Sequence, residues 1–138
     1  MSATGSEAIK PLPGLTPATR RYWESAAEGV FLLPRCRSCD RFHHHPRRWC
    51  PYCWSTELEW ARPSGRGTVV TYSVVHQAPS PGFTVPYVLA VVRLEEGPQL
   101  MCNVLETDSD NMRCDMPVEV TFETRGAIAL PQFRPRQG

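Results

Sequence analysis

The sequence has 138 residues, of which 41% are hydrophobic and 21% are charged, as in ordinary globular proteins, so extended disorder is excluded. Its 15 lysines and arginines against 14 aspartates and glutamates give a formal net charge of +1, which argues against a dedicated nucleic-acid-binding protein. Fourteen prolines and nine glycines exclude an architecture of long helices. No apolar run approaches the roughly 18 residues that span a bilayer, and no apolar signal segment opens the chain, so we expect a cytoplasmic protein.

The N-terminal segment predicts a flexible arm followed by one short helix. Residues 1–15 are small, proline-rich and uncapped. Thr16 and Pro17 are typical of an N-cap and a first helical position, and Gly29 is a typical helix end. We therefore predict a helix from Thr16 to Glu28, with an apolar stripe formed by Ala18, Tyr22, Trp23, Ala26 and Ala27. A helix of about three turns is unstable alone in water, so this stripe must dock on the rest of the chain or on another protein.

Four cysteines carry the strongest motif. Residues 30–33 predict a strand that leads into Cys36-x2-Cys39, and Cys50-x2-Cys53 follows after ten residues. In a reducing compartment, two such pairs predict a tetrahedral zinc site with four thiolate ligands and no open position, hence one structural zinc ion per chain. A redox motif normally comes as a single pair at a helix start, and a disulfide pair does not fit the expected compartment.

The segment 35–48, around the first cysteine pair and up to the second, is rich in basic residues. It contains one acid, Asp40, and five arginines: Arg35, Arg37, Arg41, Arg47 and Arg48. They either screen the anionic zinc–thiolate centre or form a surface for an anion or a partner protein. His43, His44 and His45 cannot all converge on one ion, because neighbours on an extended chain point to opposite sides. One of them could replace a cysteine ligand, but the thiolate set is already complete, so we place them on a hairpin between the cysteine pairs.

After Cys53 the hydrophobic pattern changes to the period of a strand. It predicts strands at 58–60, 68–76, 87–94, 100–105, 118–123 and 128–130, with a break at Gly65–Gly67 and a proline-rich loop at 79–82. In the second strand Val70, Tyr72 and Val74 should share one face, and the strand at 87–94 should be buried on both faces. Several strands without an intervening helix predict a five-stranded barrel of the oligonucleotide/oligosaccharide-binding (OB) type. The predicted class is therefore mainly β, divided into the arm at 1–15, the helix and zinc ribbon at 16–60, and the barrel at 61–138.

No catalytic residue is predicted. Cys102 and Cys114 lie outside the zinc motif, and His76 is the one isolated histidine. Cys102 lies in an ordinary strand pattern, where a buried cysteine behaves as a small hydrophobic residue. No nucleophile–base pair, phosphate loop or paired-carboxylate motif accompanies them.

Several segments together resemble the DUF35 family, in which a rubredoxin-like zinc ribbon precedes an OB-fold. The similarity runs from about Tyr22 to Pro135. Two positions depart from the family pattern, since Asp40 and Asp115 stand where glycine is frequent; aspartate tolerates left-handed turns, so both should keep the fold. The segments that carry the resemblance are 36–39, 46–53, 65–72, 86–92, 116–120 and 133–135.

This resemblance implies a non-catalytic accessory subunit. Such proteins assemble with thiolase-like, aldolase-like or MaoC-like acyl-CoA enzymes and stabilise them. The resemblance leaves open whether a CoA thioester is held at the shared interface. The aromatic residues expected to contact the partner are Tyr22, Trp23, Phe83 and Phe133, together with Arg134, although Trp23 could equally complete the chain's own core. The alternative is a zinc-ribbon and OB-fold protein that binds single-stranded nucleic acid, which the scarcity of basic residues on the barrel strands disfavours.

Overall fold

The computed structural model describes residues 11–136. The first ten residues of the predicted arm lie outside the described part, and residues 11–15 form no regular secondary structure, with Pro11 accepting a hydrogen bond from Arg125. Within the described part, the chain forms one α-helix, one 3-10 turn and seven strands. They are α1 (Arg20–Ala27), β1 (Leu33–Cys36), β2 (Leu58–Ala61), β3 (Arg66–Val75), β4 (Tyr87–Leu94), β5 (Gln99–Asn103), the turn Ser109–Asn111, β6 (Pro117–Arg125) and β7 (Ile128–Pro135).

Helix α1 is shorter than predicted at its start but ends as expected. Residues 17–19 form a turn, in which the Thr19 amide donates to the Thr16 hydroxyl over 3.2 Å, so Thr16 caps this turn rather than the regular helix. At the other end Gly29 has a φ of 77°. The Gly29 and Val30 amides donate to the carbonyls of Ala26 and Ser25, which is the Schellman ending that a glycine favours.

The zinc ribbon has its own two-stranded sheet. Strand β1 pairs antiparallel with β2, with Leu33 opposite Ala61 and Cys36 opposite Leu58. The predicted strand at 30–33 therefore begins three residues later and runs into the first cysteine. The predicted hairpin between the cysteine pairs is absent from this part of the described chain, where one isolated bridge joins Phe42 to Arg35.

The remaining strands form the predicted barrel. Their order in the sheet is β5-β4-β3-β6-β7, with antiparallel pairing throughout. The barrel closes where a parallel bridge joins Val104, just after β5, to Phe133 of β7, and the Leu105 amide donates to the Phe133 carbonyl over 2.7 Å. This circular order is that of an OB-fold, so the predicted fold class is confirmed.

Four details of the strands differ from the predictions. Arg66 and Gly67 belong to β3 rather than to a break, because Gly67 pairs with both Leu94 and Val118. A β-bulge follows Val69, so Val70 has no partner residue in β4. Val69 is buried, whereas Val70 is half-buried.

Strand β4 is fully buried on one face and half-buried on the other, where Arg93 is exposed. Strand β7 continues through Pro131 to Pro135, because an edge strand tolerates a residue without an amide hydrogen.

One hydrophobic core joins the helix to the barrel. Tyr22 and Trp23 of α1 belong to the same buried cluster as Phe31 and Leu33 and the inward residues of the barrel. Helix α1 packs on β7. The helix therefore docks on its own chain, which is one of the two roles that its apolar stripe left open.

Candidate functional site

The two cysteine pairs form two knuckles with matching geometry. In the first, the Cys39 amide donates to the Cys36 sulfur over 3.4 Å, and the Asp40 amide donates to the Cys36 carbonyl over 2.8 Å. In the second, the Tyr52 amide donates to the Cys50 sulfur over 3.4 Å, and the Trp54 amide donates to the Cys50 carbonyl over 2.9 Å. Each knuckle closes through a left-handed residue, Asp40 with φ 67° and Trp54 with φ 66°.

The knuckles bring four sulfur atoms to one point. The Sγ atoms of Cys36 and Cys53 are 3.5 Å apart, those of Cys39 and Cys50 are 3.6 Å apart, and all four lie within 4.8 Å of one another. A regular tetrahedron with zinc–sulfur distances of about 2.3 Å has edges of about 3.8 Å, whereas a disulfide would need about 2.05 Å. The donor set and its spacing therefore fit a four-thiolate zinc centre.

The backbone of the knuckles favours the thiolate form that zinc requires. The Cys39 amide, as the main cause, lowers the pKa of the Cys36 thiol to about 6. Burial raises the pKa of Cys50, but the Tyr52 and Cys53 amides outweigh it, and the net shift is downward. Burial raises the pKa of Cys39 to about 12. The first thiol of each pair thus has a lowered pKa, and a divalent cation at the centre would stabilise the ionised form of all four.

The three histidines are not part of this centre. Within the described residues, the group of side chains close enough to hold a metal consists of the four cysteines. His43 is buried with neither ring nitrogen paired, while His44 and His45 approach each other over 3.2 Å and lie against Tyr22. His44 and His45 therefore contact helix α1 through the Tyr22 ring.

Three of the predicted partner contacts lie inside the chain. Tyr22 and Trp23 pack edge-to-face with ring centroids 4.8 Å apart, and both are buried. Phe133 is fully buried in the barrel. These aromatic rings complete the chain's own core, so in this structure they present no surface to another protein. The pattern of aromatic residues alone did not separate a core position from an exposed one.

The other two predicted contacts lie at the surface but are engaged. Phe83 is half-buried and stacks on Tyr87 with centroids 5.7 Å apart, at the edge of a cleft of about 510 Å³. Arg134 is half-buried, and its guanidinium donates to Glu119 over 2.8 Å and lies 3.6 Å from Glu106. Both side chains therefore remain reachable by a partner.

Cys102 is placed as an unreactive residue. It lies in β5 opposite Ala90, and burial raises the pKa of its thiol to about 12. A thiol with so high a pKa supplies almost no thiolate at neutral pH. Cys114 and His76 are exposed on other segments.

The structure also shows a group of exposed aromatic residues that the sequence did not single out. Trp49, Tyr52 and Trp54 surround the second knuckle and are 44%, 50% and 73% exposed, and the Arg41 guanidinium lies 5.0 Å from the centre of the Tyr52 ring. We call these four residues the knuckle face. The sequence did contain a signal for this group. Trp54 directly follows the last cysteine of the second pair, and the equivalent position of the first pair is Asp40, where a glycine is frequent.

None of the helices among residues 11–136 is long and apolar enough to cross a membrane.

Two family profiles match consecutive parts of the chain. Residues 23–59 match the profile described as "ChsH2, rubredoxin-like zinc ribbon domain", and residues 60–123 match "ChsH2, C-terminal OB-fold domain". The first match contains all four cysteines, and the second contains most of the barrel. Together they cover the observed order of ribbon and barrel.

Three curated relatives have informative names. A "Probable enoyl-CoA hydratase alpha subunit" of Thermomonospora curvata is 33% identical over 130 residues, which are 94% of this chain but 41% of that relative. A "DUF35 domain-containing scaffold protein" of Pyrococcus furiosus is 36% identical over 126 residues, covering 83% of this chain and 90% of the relative. The "Benzoylsuccinyl-CoA thiolase subunit BbsA" of Geobacter metallireducens is 34% identical over 88 residues, covering 64% of this chain and 58% of the relative.

A solved structure supports the same family. The chain matches one named "Ltp2-ChsH2(DUF35) aldolase" with a TM-score of 0.81 and 33% identity, over 90% of this chain and 98% of that chain. The profiles, the relative matched over most of its length and this structure agree with the resemblance that the cysteine and barrel motifs carry. The chain belongs to the DUF35 family of zinc-ribbon and OB-fold proteins.

Proposed function

We propose that this chain is an accessory subunit without catalytic activity of its own, which assembles with an acyl-CoA enzyme of the thiolase, aldolase or MaoC-like hydratase type and stabilises it. The observation that carries this proposal is the match over 98% of a DUF35 chain in a structure named as an aldolase. Relatives named as a hydratase subunit, a thiolase subunit and a scaffold protein support the same kind of role.

The geometry of the sulfur cluster supports a structural role for the metal. Cys36, Cys39, Cys50 and Cys53 would hold one zinc ion per chain. Four thiolates complete its tetrahedron and leave no position for water or substrate. Zinc bound in this way stabilises the ribbon, because the folded knuckles and the bound ion form together. The division into a ribbon at 16–60 and a barrel at 61–138 is part of the same proposal.

The non-catalytic role is supported by the state of the remaining nucleophiles. The Cys102 thiol is buried with a raised pKa, while His76 and Cys114 are exposed on other segments. Acyl transfer through cysteine needs a thiolate next to a base, in a site that excludes water. The chemistry is therefore assigned to the partner subunit.

Co-expression tests this function. The chain is produced with an affinity tag, together with the thiolase-like, aldolase-like or MaoC-like acyl-CoA enzyme that the proposal expects a neighbouring gene to encode. We expect the two proteins to co-elute in size-exclusion chromatography at a fixed ratio, with the enzyme more soluble than when it is produced alone. Separate elution of two well-folded proteins, or acyl-CoA turnover by the isolated chain, would overturn the proposal.

A further inference from the structure

We propose that the knuckle face, formed by Arg41, Trp49, Tyr52 and Trp54, is the surface on which this chain docks its catalytic acyl-CoA subunit. The inference rests on the proposed function and adds to it the place of contact and the chemistry of the partner's surface. The predicted partner contacts Tyr22, Trp23 and Phe133 are buried. The knuckle face offers three exposed aromatic residues in their place.

The first support is exposure that folding does not explain. Tryptophan is highly buried on average, as Trp23 is here at 8% exposure. Trp49 and Trp54 instead leave 44% and 73% of their surface in solvent, side by side, with their rings 6.4 Å apart and nearly parallel at 17°. Tyr52 of the same knuckle is also half exposed. Large apolar side chains that lie together in solvent, as the two tryptophans do, mark an interaction site.

The second support is a comparison of the two knuckles, which act as an internal control. Both close through a left-handed residue at the same position. The first uses Asp40, a residue that tolerates this backbone, and its carboxylate pairs with Arg35. The second uses Trp54, for which a positive φ is unfavourable, and the ring gains little burial in return. Trp54 thus costs the isolated ribbon stability, and contact with another molecule offsets that cost.

The third support is the composition and order of the face. Tryptophan, tyrosine and arginine are the residues most enriched at the centres of protein interfaces. The Arg41 guanidinium is already held over the Tyr52 ring, and the two tryptophans are already stacked, so little side-chain freedom remains to be lost on docking. The face is pre-organised to fit a rigid surface.

Charge favours a protein over a nucleic acid as the occupant. Residues 35–60 contain five arginines and three carboxylates, and a zinc–tetrathiolate centre adds a charge of −2, so the ribbon as a whole is neutral. A strand of nucleic acid needs several unpaired cations along its path. Arg35 and Arg37 are instead paired with Glu59. Within the knuckle face Arg41 is the single cation, held over the Tyr52 ring, so the face fits an apolar pocket on the partner with one carboxylate opposite Arg41.

The test compares variants of the knuckle face in the co-expressed complex. Trp54→Gly removes the ring and relieves the left-handed backbone, so the isolated chain should keep its zinc content and have a melting temperature at least as high as that of the wild type. Trp49→Ala removes the second ring. Met101→Ala is the matched control, because Met101 is 71% exposed on β5 of the barrel and does not belong to the knuckle face. Binding to the acyl-CoA enzyme encoded beside the chain is measured by titration calorimetry with purified partners.

We expect Trp54→Gly and Trp49→Ala each to raise the Kd at least tenfold and Met101→Ala to leave it unchanged. If the wild-type chain binds the enzyme and the knuckle variants bind equally well, the docking surface lies elsewhere, while the proposed function stands. If the wild-type chain does not bind the enzyme, the proposed function fails, and this inference fails with it. Two other results would overturn the inference by assigning the face to a different occupant. One is a dimer of the isolated chain that Trp54→Gly dissociates, and the other is submicromolar binding of single-stranded DNA that Trp54→Gly abolishes.

Discussion

Replacing Phe133 by alanine should cost much of the stability of this small protein. The Phe133 side chain is fully buried in strand β7, opposite Val120 of β6 and bridged to Val104 at the seam of the barrel. The Phe133 carbonyl also accepts the Leu105 amide across that seam. The ring therefore fills the core at the point where the barrel closes.

The magnitude follows from the buried surface. Truncation to alanine removes about 150 Å² of apolar contact, which at about 25 cal/mol per Å² is about 4 kcal/mol, within the range of about 3–5 kcal/mol for Phe→Ala in cores. The assay is urea unfolding of the zinc-loaded chain, followed by tryptophan fluorescence, with Met101→Ala as an exposed control that should change the unfolding free energy by less than about 0.5 kcal/mol. A loss below about 1 kcal/mol for Phe133→Ala would refute the reasoning and restore Phe133 as a surface contact.

Three further predictions concern the metal, the close packing of β3 and the dependence on pH. Cys36→Ser should abolish stoichiometric zinc binding, measured by metal analysis, and unfold the ribbon; because Leu33 of the ribbon lies in the same core as the barrel, the melting temperature of the whole chain should fall as well. Gly67→Ala should lower the melting temperature strongly, because a Cβ there would lie 2.6 Å from the Arg93 carbonyl oxygen, whereas Gly14→Ala, with nothing within 4 Å, should not. Burial, and then the neighbouring histidines, lower the pKa of His44 from 6.5 to about 4, so on acidification His44 binds a proton at a higher pH in the unfolded chain than in the folded chain. The unfolding free energy should therefore fall as the pH drops from about 6.5 to about 4, by up to about 3 kcal/mol, and His44→Asn should flatten that fall in urea titrations at constant zinc content; an unchanged slope would count against it.

The features that the sequence predicted well are local ones. The spacing of the cysteines determines the knuckles, because each pair closes within four residues. The left-handed backbone expected at Asp40 and Asp115 is confirmed, with φ 67° at both positions. Gly29 ends the helix for the same kind of local reason. These conformations depend on the chemistry of neighbouring residues, which the sequence displays directly.

The features that the sequence missed depend on contacts between distant segments. Phe133 and Trp49 are both aromatic, yet Phe133 is fully buried at the seam of the barrel, whereas Trp49 of the ribbon is exposed. Gly67 looked like part of a turn, whereas it allows β3 to approach the Arg93 carbonyl of β4 closely. The bulge after Val69 shifted the register beyond it, and no local residue marks that shift. Burial and register are settled by tertiary packing, so a pattern along the chain cannot assign them.

The most direct measurement of the central claim is a reconstitution titration. The purified zinc-loaded chain is added in steps to the separately purified acyl-CoA enzyme encoded beside it, and the turnover of an acyl-CoA substrate is measured at each step. We expect no turnover by the chain alone, and a rise in the activity or lifetime of the enzyme that saturates at a fixed molar ratio. Turnover by the isolated chain, or an enzyme whose activity and lifetime do not change at any ratio, would contradict it.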